Sequence, residues 1–353
     1  MEPLTPNPKV IQAINWQAKY TDHNNAPITG RVSRALLPLL NGATQVGRRL
    51  ATWPDSATED ALPLRLAGGL HSLHLTRRDH RLAPIYAGEL TDQGAIDAAV
   101  GAVVANHDDE LLRWLDGPPQ TTEAGRSASI VAALLWLSGR LGPRFELNEL
   151  GASAGINSML DRFFFDLGGT TVGPADSPLR VVPEWKGPPP PVAPVVIEAI
   201  RGCDRAPVDL TDPAQALRLK AYVWPDAVER MVRLDAAVAL ARVKPPRLDR
   251  ADAGEWTGAR LIAPQDADTT RVFYHSIVWQ YLPETTRAAI AAGIEAAGAQ
   301  ATASRRIAWV RLETNRTTYR HELSVRFWPG GGEEVVLATA HAHGAWVEWF
   351  GVQ

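Results

Sequence analysis

An α/β fold is what this sequence predicts: a doubly wound, mainly parallel sheet ending in an antiparallel hairpin, preceded by a helical region. Three observations carry that expectation. From about residue 127 short apolar strands alternate with helical stretches, and one of those strands runs into a loop of small residues. The final stretch alternates apolar with polar residues around a Pro-Gly-Gly-Gly turn.

Residues 1–126 read as short helices punctuated by Pro27, Pro38, Pro54, Pro63, Pro84, Pro118 and Pro119, and no segment alternates as a strand would. Ala95–Leu115 carries Val100, Val103, Val104, Leu111, Leu112 and Leu115 at helical spacing. An apolar helix, Ile130–Leu141, then leads through Gly142-Pro143 into the strand Arg144–Leu150. After the loop 151–155, Ile156, Met159, Leu160, Phe163 and Phe164 fall on one stripe and predict a helix. Residues 166–194 form a Gly- and Pro-rich insertion ending in Pro188–Pro191, too polyproline-like for a helix or central strand.

Four further strands are expected at Val195–Ile200, Arg247–Ala251, Arg271–His275 and Ile307–Leu312. Helices are expected from Asp212 to Arg242, broken at Pro225, and over Glu284–Ala299. Leu323, Val325 and Phe327 alternate with Glu322, Ser324 and Arg326, and Glu334–Thr339 returns as the second arm of a hairpin. Five strands and a hairpin make a seven-stranded sheet in one domain, 127–353, with 1–126 as a helical cover and any substrate pocket where the two parts meet.

Composition narrows the function classes. The chain has 353 residues, 45% hydrophobic and 21% charged, which excludes wholesale disorder and fibrous architectures. Basic and acidic residues number 11 and 14 in 1–125 and 25 and 25 thereafter, so neither part carries the basic footprint of a nucleic-acid binder. The single cysteine, Cys203, allows no intrachain disulfide. No run reaches the roughly 18 apolar residues of a membrane helix, and the start of the chain lacks a secretory signal pattern. The expectation is a cytoplasmic protein whose partner is a small molecule, with neither nucleic acid nor membrane.

Glu149-Leu-Gly-Ala-Ser-Ala-Gly155 is the most informative stretch. It lacks the lysine of a phosphate-cradling loop. Gly151-Ala-Ser153-Ala-Gly155 has the Gly-x-Ser-x-Gly form of a hydrolase nucleophile elbow, with Ser153 as nucleophile and Asp252 with His275, or Asp268 with His341 or His343, as candidate partners. The helical character of the preceding residues argues against it. The loop also resembles the first motif of class I S-adenosylmethionine-dependent methyltransferases, acidic-x-Gly-x-Gly-x-Gly, with Glu149, Gly151 and Gly155 matching and Ser153 in the middle glycine's place. Small residues there let backbone approach an uncharged adenosyl ligand closely. Asp204 and Asp252, each following a predicted strand, stand where that family binds the ribose hydroxyls and the adenine amino group. Asn157, opening the next segment, is placed to reach the same cofactor.

The string Glu-Leu-Gly-Ala-Ser-Ala-Gly-Ile-Asn with Asp161-Arg162, Gly173-Pro-Ala-Asp-Ser-Pro178, Val223-Trp-Pro225, Tyr274-His-Ser276, His343-Gly344 before Trp346 and Trp349, and Glu123 and Arg126 in Thr-Glu-Ala-Gly-Arg closely resemble the bacterial domain of unknown function 2332 family. What that resemblance implies is a methyltransferase-like fold and little about substrate. An enzyme transferring methyl to a small-molecule oxygen or nitrogen acceptor is the leading expectation, a non-catalytic S-adenosylmethionine-binding protein of the same fold the alternative, and the Ser153 hydrolase a second.

His275 stands after the fourth strand, where an imidazole would serve as general base. Glu123 and Arg126 form either a helix-surface pair or a clamp for a polar substrate. Arg162 is expected to pair structurally. His341 and His343 sit two apart but lack the further ligands a metal needs, so no metal is expected. The 12 tryptophans are read as packing residues.

Overall fold

The structure is a computed structural model in which residues 4–351 are described. In chain order the helices α1 (Pro8–His23), α2 (Pro27–Arg34), α3 (Gln45–Ala51), α4 (Leu62–Leu75), α5 (Ala83–Tyr86), α6 (Gln93–Asn106) and α7 (Asp108–Leu112) come first. Helix α8 (Ser127–Leu141) leads into β1 (Arg144–Leu150), followed by β2 (Phe164–Leu167), β3 (Thr170–Val172), β4 (Arg180–Val181), β5 (Glu184–Lys186) and β6 (Val196–Asp204). Then come α9 (Pro213–Ala221), α10 (Val228–Val243), β7 (Leu248–Arg250), α11 (Ala253–Ile262), β8 (Thr269–Ser276) and α12 (Glu284–Ala299). The meander β9 (Arg305–Thr314), β10 (His321–Trp328), β11 (Val335–Ala340) and β12 (Trp346–Trp349) closes the order.

Two compact units result, Met1–Thr121 with Asp212–Val232, and Thr122–Thr211 with Arg233–Gln353. The stretch 212–232, read from sequence as part of the βα alternation, thus folds with the N-terminal helices. Within that unit α9 packs on α4, and the Asp226 carboxylate accepts hydrogen bonds from the Ile28 and Thr29 backbone N–H groups and the Thr29 hydroxyl at 2.7–2.9 Å. Proline starts helices here rather than ending them: Pro8, Pro27, Pro63, Pro84 and Pro213 all stand in first turns, where the missing N–H has no intrahelical acceptor anyway. Side-chain caps from Asn7, Asp92 and Asp212 satisfy neighbouring N–H groups. The apolar stripes enclose a core that includes Val10, Ile14, Leu36, Leu50, Leu66, Leu70, Val100 and Val104.

The second unit is built on a mixed sheet of nine strands in the order β5-β12-β11-β10-β9-β8-β1-β6-β7. Five of them, β7-β6-β1-β8-β9, are parallel, and β10, β11 and β12 then run antiparallel. The seven-stranded expectation is therefore corrected. The chain turns once more after β11 to add β12, and β5 returns from the insertion to pair with it in parallel. The insertion is also not strandless: β2, β3 and β4 form a small sheet of their own.

The helix expected over 156–164 is a 3-10 turn, Asn157–Arg162, that gives way to β2. Phe163 and Phe165 are buried and Phe164 half-exposed, so an alternation of period two overrides the helical stripe from residue 163 onward.

Helices cover both faces of the large sheet, and consecutive residues of β10 mark them. Phe327 packs edge-on against Trp136 of α8, with centroids 5.6 Å apart, whereas Trp328 lies against Gly298 of α12. On the α12 side Leu150, Phe273, Ile307 and Trp309 of the strands join Trp256, Ile290 and Ile294 in one buried cluster.

Candidate functional site

In the second unit β1 is flanked by β6 and β8, and the chain fills the sheet outward on one side before returning to the other. The crevice outside the carboxyl ends of β1 and β8 is thus the topological switch point, where open α/β sheets bind ligands. Loop 151–155 lies there. Gly151 and Gly155 both hold φ near +67°, and a Cβ on either would collide with Val278 at 2.3 Å or with Pro246 and Leu248 at 2.9 Å. Backbone conformation and close packing together require glycine at these two places.

Ser153, between them, also has positive φ, at 53°. Its backbone N–H donates to the Asp204 carboxylate at 2.8 Å, and its carbonyl accepts from Val208. Asp204 uses its other oxygen for the Ala206 N–H at 2.9 Å, so this carboxylate staples the end of β6 to the loop. Each oxygen keeps a second lone pair. The Ser153 hydroxyl and, just after the loop, the Asn157 side-chain oxygen are buried without a hydrogen-bond partner, which is uncommon for buried polar atoms.

Beside the loop opens a cavity of about 310 Å3. Val208, Leu210, Pro246 and Leu248 give it an apolar lining, with Asp209 and Thr211 at its polar side.

Glu149 closes β1. Its carboxyl is buried, accepts from the Ser158 hydroxyl at 2.5 Å and lies 3.2 Å from the Tyr274 hydroxyl. Burial pushes this carboxyl up to about 7, against the smaller opposing pull of those two hydroxyls, Asn157 and the Arg126 charge. Tyr274 is also 3.1 Å from the Asn157 carbonyl. Its one proton serves that carbonyl when the carboxyl is protonated, leaving the phenolic oxygen to accept from the acid.

Asp252 caps α11 through the Gly254 N–H and pairs with Arg205 at 2.6 Å. It holds the β7 exit, and no contact ties it to Ser153. His275, expected as a general base, has both ring nitrogens in contact with neighbouring side chains. It is fully buried and stacked on Trp279, its Nδ1 is 2.6 Å from Glu313 and its Nε2 accepts from the Trp309 indole at 3.1 Å. With Nδ1–H donated to Glu313, no lone pair is left to take a substrate proton. The same Glu313 oxygen accepts from the Val278 and Trp279 N–H groups, so the pair shapes the loop that meets Gly151. Nor does a hydrolase triad assemble: the Ser153 hydroxyl has no partner, and Asp268 pairs with Arg306.

Glu123 and Arg126 are not an exposed helix pair. Both are buried in the 3-10 turn that starts α8. Glu123 accepts from the Gly125 N–H and from Arg233, while Arg126 donates to the carbonyls of Ala342 and Ser276 at 2.8 and 3.2 Å. Gly125 and Gly344 make this possible by bringing two backbones into contact. A Cβ on Gly344, where φ is +71°, would stand 2.3 Å from the Gly125 carbonyl carbon. Gly344→Ala is accordingly expected to destabilise by about 2 kcal/mol or more through strain and clash, read by chemical denaturation. A loss under about 0.5 kcal/mol would show that the turn yields easily.

Four stretches far apart in sequence thus gather at one rim of the sheet: Glu123–Arg126, Glu149–Asn157, Tyr274–Ser276 and the 341–344 turn. Sequence reading missed Glu313, Ser158 and Tyr274 as members. Only Tyr274, within Tyr-His-Ser, carried a signal. Among the described residues no group of three or more His, Cys, Asp or Glu is placed to hold a metal, and no helix is long and apolar enough to cross a membrane.

One family model, described as an uncharacterized protein conserved in bacteria (DUF2332), matches residues 12–349. No curated protein and no solved structure matches the chain.

Proposed function

The chain belongs to this DUF2332 family, and on that premise we propose that its α/β unit binds S-adenosylmethionine, or its demethylated product, at the switch point, and acts as a methyltransferase on a small molecule. The single observation carrying the reading is the loop 151–155 at the switch point of five parallel strands, with two buried polar atoms that lack partners. The residues present fit such a ligand. Val208, Pro246 and Leu248 offer apolar surface to a base, Asp204 retains lone pairs for ribose hydroxyls, and Ser153 and Asn157 have polar atoms to satisfy.

Bound there, the cofactor supplies an electrophilic methyl group. The chain's own residues orient it and shield it from water. With both its nitrogens engaged, the His275 imidazole is not free to remove a proton, which favours acceptors arriving with an available lone pair, such as an amine. The same observation favours the non-catalytic form of this reading, a binding protein without turnover.

Titration calorimetry tests it. Saturable heat with S-adenosylmethionine or S-adenosylhomocysteine is expected, and Asp204→Ala should weaken either by at least about tenfold, the scale of hydrogen bonds to a charged acceptor. No heat from either ligand rejects the proposal.

A further inference from the structure

A second cavity, of about 200 Å3, lies between the 3-10 turn 157–162, β6 and the segment after α10. Its lining includes Arg162, Lys244 and Arg247 together with Asp161 and Glu198. Charge is unbalanced there. Glu198 is taken by Arg144 at 2.7 Å, and Asp161 lies 3.7 Å from the Arg162 Nε, an ion pair beyond hydrogen-bond reach. Lys244 and Arg247 have no ion-pair partner among the described residues. The Arg162 Nε is buried and unsatisfied, although its Nη1 donates to the Lys244 carbonyl and so fixes the guanidinium in place. Because β7 pairs with β6 only over Gly202–Asp204, the stretch Ile197–Ile200 is an open strand edge facing the same space.

A preplaced guanidinium with an unfilled donor, flanked by two uncompensated cations, is what an oxyanion requires. We propose that this cavity is a binding site for the oxyanion group, phosphate or carboxylate, of a small metabolite, held by Arg162, Lys244 and Arg247. It shares only Pro245 with the cavity beside loop 151–155, and it gives the Asp161-Arg162 pair a use beyond packing.

The test is calorimetric titration of the full chain with pyrophosphate and, separately, citrate at low salt. Saturable binding of either supports the site and tells phosphoryl from carboxylate chemistry. Lys244→Ala/Arg247→Ala, which changes only exposed side chains, should weaken that binding at least about tenfold while leaving the melting temperature and any S-adenosylmethionine heat unchanged. Absence of saturable binding with both probes, or equal affinity in the double variant, overturns the proposal whatever the outcome at the switch point.

Discussion

Replacing Arg271 by methionine is expected to destabilise the α/β unit by about 3–5 kcal/mol, the scale for a buried ion pair stripped of one member. Arg271 is 1% exposed on a central strand, directly across from Glu146 in the β1–β8 register. Its five N–H groups are all engaged: Nε and Nη2 on Glu146 at 3.2 and 3.0 Å, the remainder on the carbonyls of Arg260, Ala263 and Pro264 at 2.6–3.0 Å. Methionine fills much of the volume but leaves those three carbonyls unpaired at the end of α11, and Glu146 with Arg260 alone. At about 2–4 °C per kcal/mol for a unit of this size, the melting temperature should fall by about 10 °C. A fall of under about 2 °C would show that water replaces the guanidinium at no cost. Arg260→Met should do less, since that side chain is partly exposed.

The second large effect is a pH dependence located at Glu149. Its ordinary value is 4.5 and its folded value about 7, so the native state holds this proton more tightly than the unfolded chain does. The contribution is fully present below pH 4.5 and is lost as the pH rises through about 7. At 1.36 kcal/mol per unit, the swing is about 3 kcal/mol. Glu149→Gln removes it. Relative to the parent, the variant should therefore gain about 3 kcal/mol between about pH 5 and pH 8, measured by urea denaturation at both. A parallel pH profile for the two proteins would place the ionised carboxylate in the native state at neutral pH and reject the assignment.

Strands flanked by clear signals were readable from sequence, and those depending on distant partners were not. Arg144–Leu150 and Glu284–Ala299 have the same bounds in sequence and structure, because Gly142-Pro143 and the small-residue loop punctuate the first and an unbroken alanine-rich run defines the second. β5 is Glu-Trp-Lys, with no periodicity of its own, and exists because β12 offers it an edge 160 residues later. The polar residues of β1 on its α11 face, Glu146 and Asn148, contradict the apolar pattern of a central parallel strand. Arg260 and Arg271, one on a helix and one on the next strand, compensate them.

At the site the glycine loop and Asp204 were legible as a motif. What sequence cannot encode locally is occupancy. His275 reads as a base until Glu313 and Trp309 are seen on its two nitrogens, and both come from the neighbouring strand. Glu123 and Arg126 read equally as a solvated pair or as a substrate clamp, and the first of these goes once the 341–344 turn is seen on top of them.

That last contact also sets an order of events for the nascent chain. Arg126 meets the Ala342 carbonyl at a sequence separation of 216, among the longest in this unit. Contacts so remote carry a large loop-closure cost and form late, after the local helices and neighbouring strand pairs have condensed. The rim residues therefore spend synthesis apart, and the crevice acquires its final shape only when the β11–β12 turn settles against the start of α8. Assembly of the sheet and maturation of the site are in this sense a single terminal step.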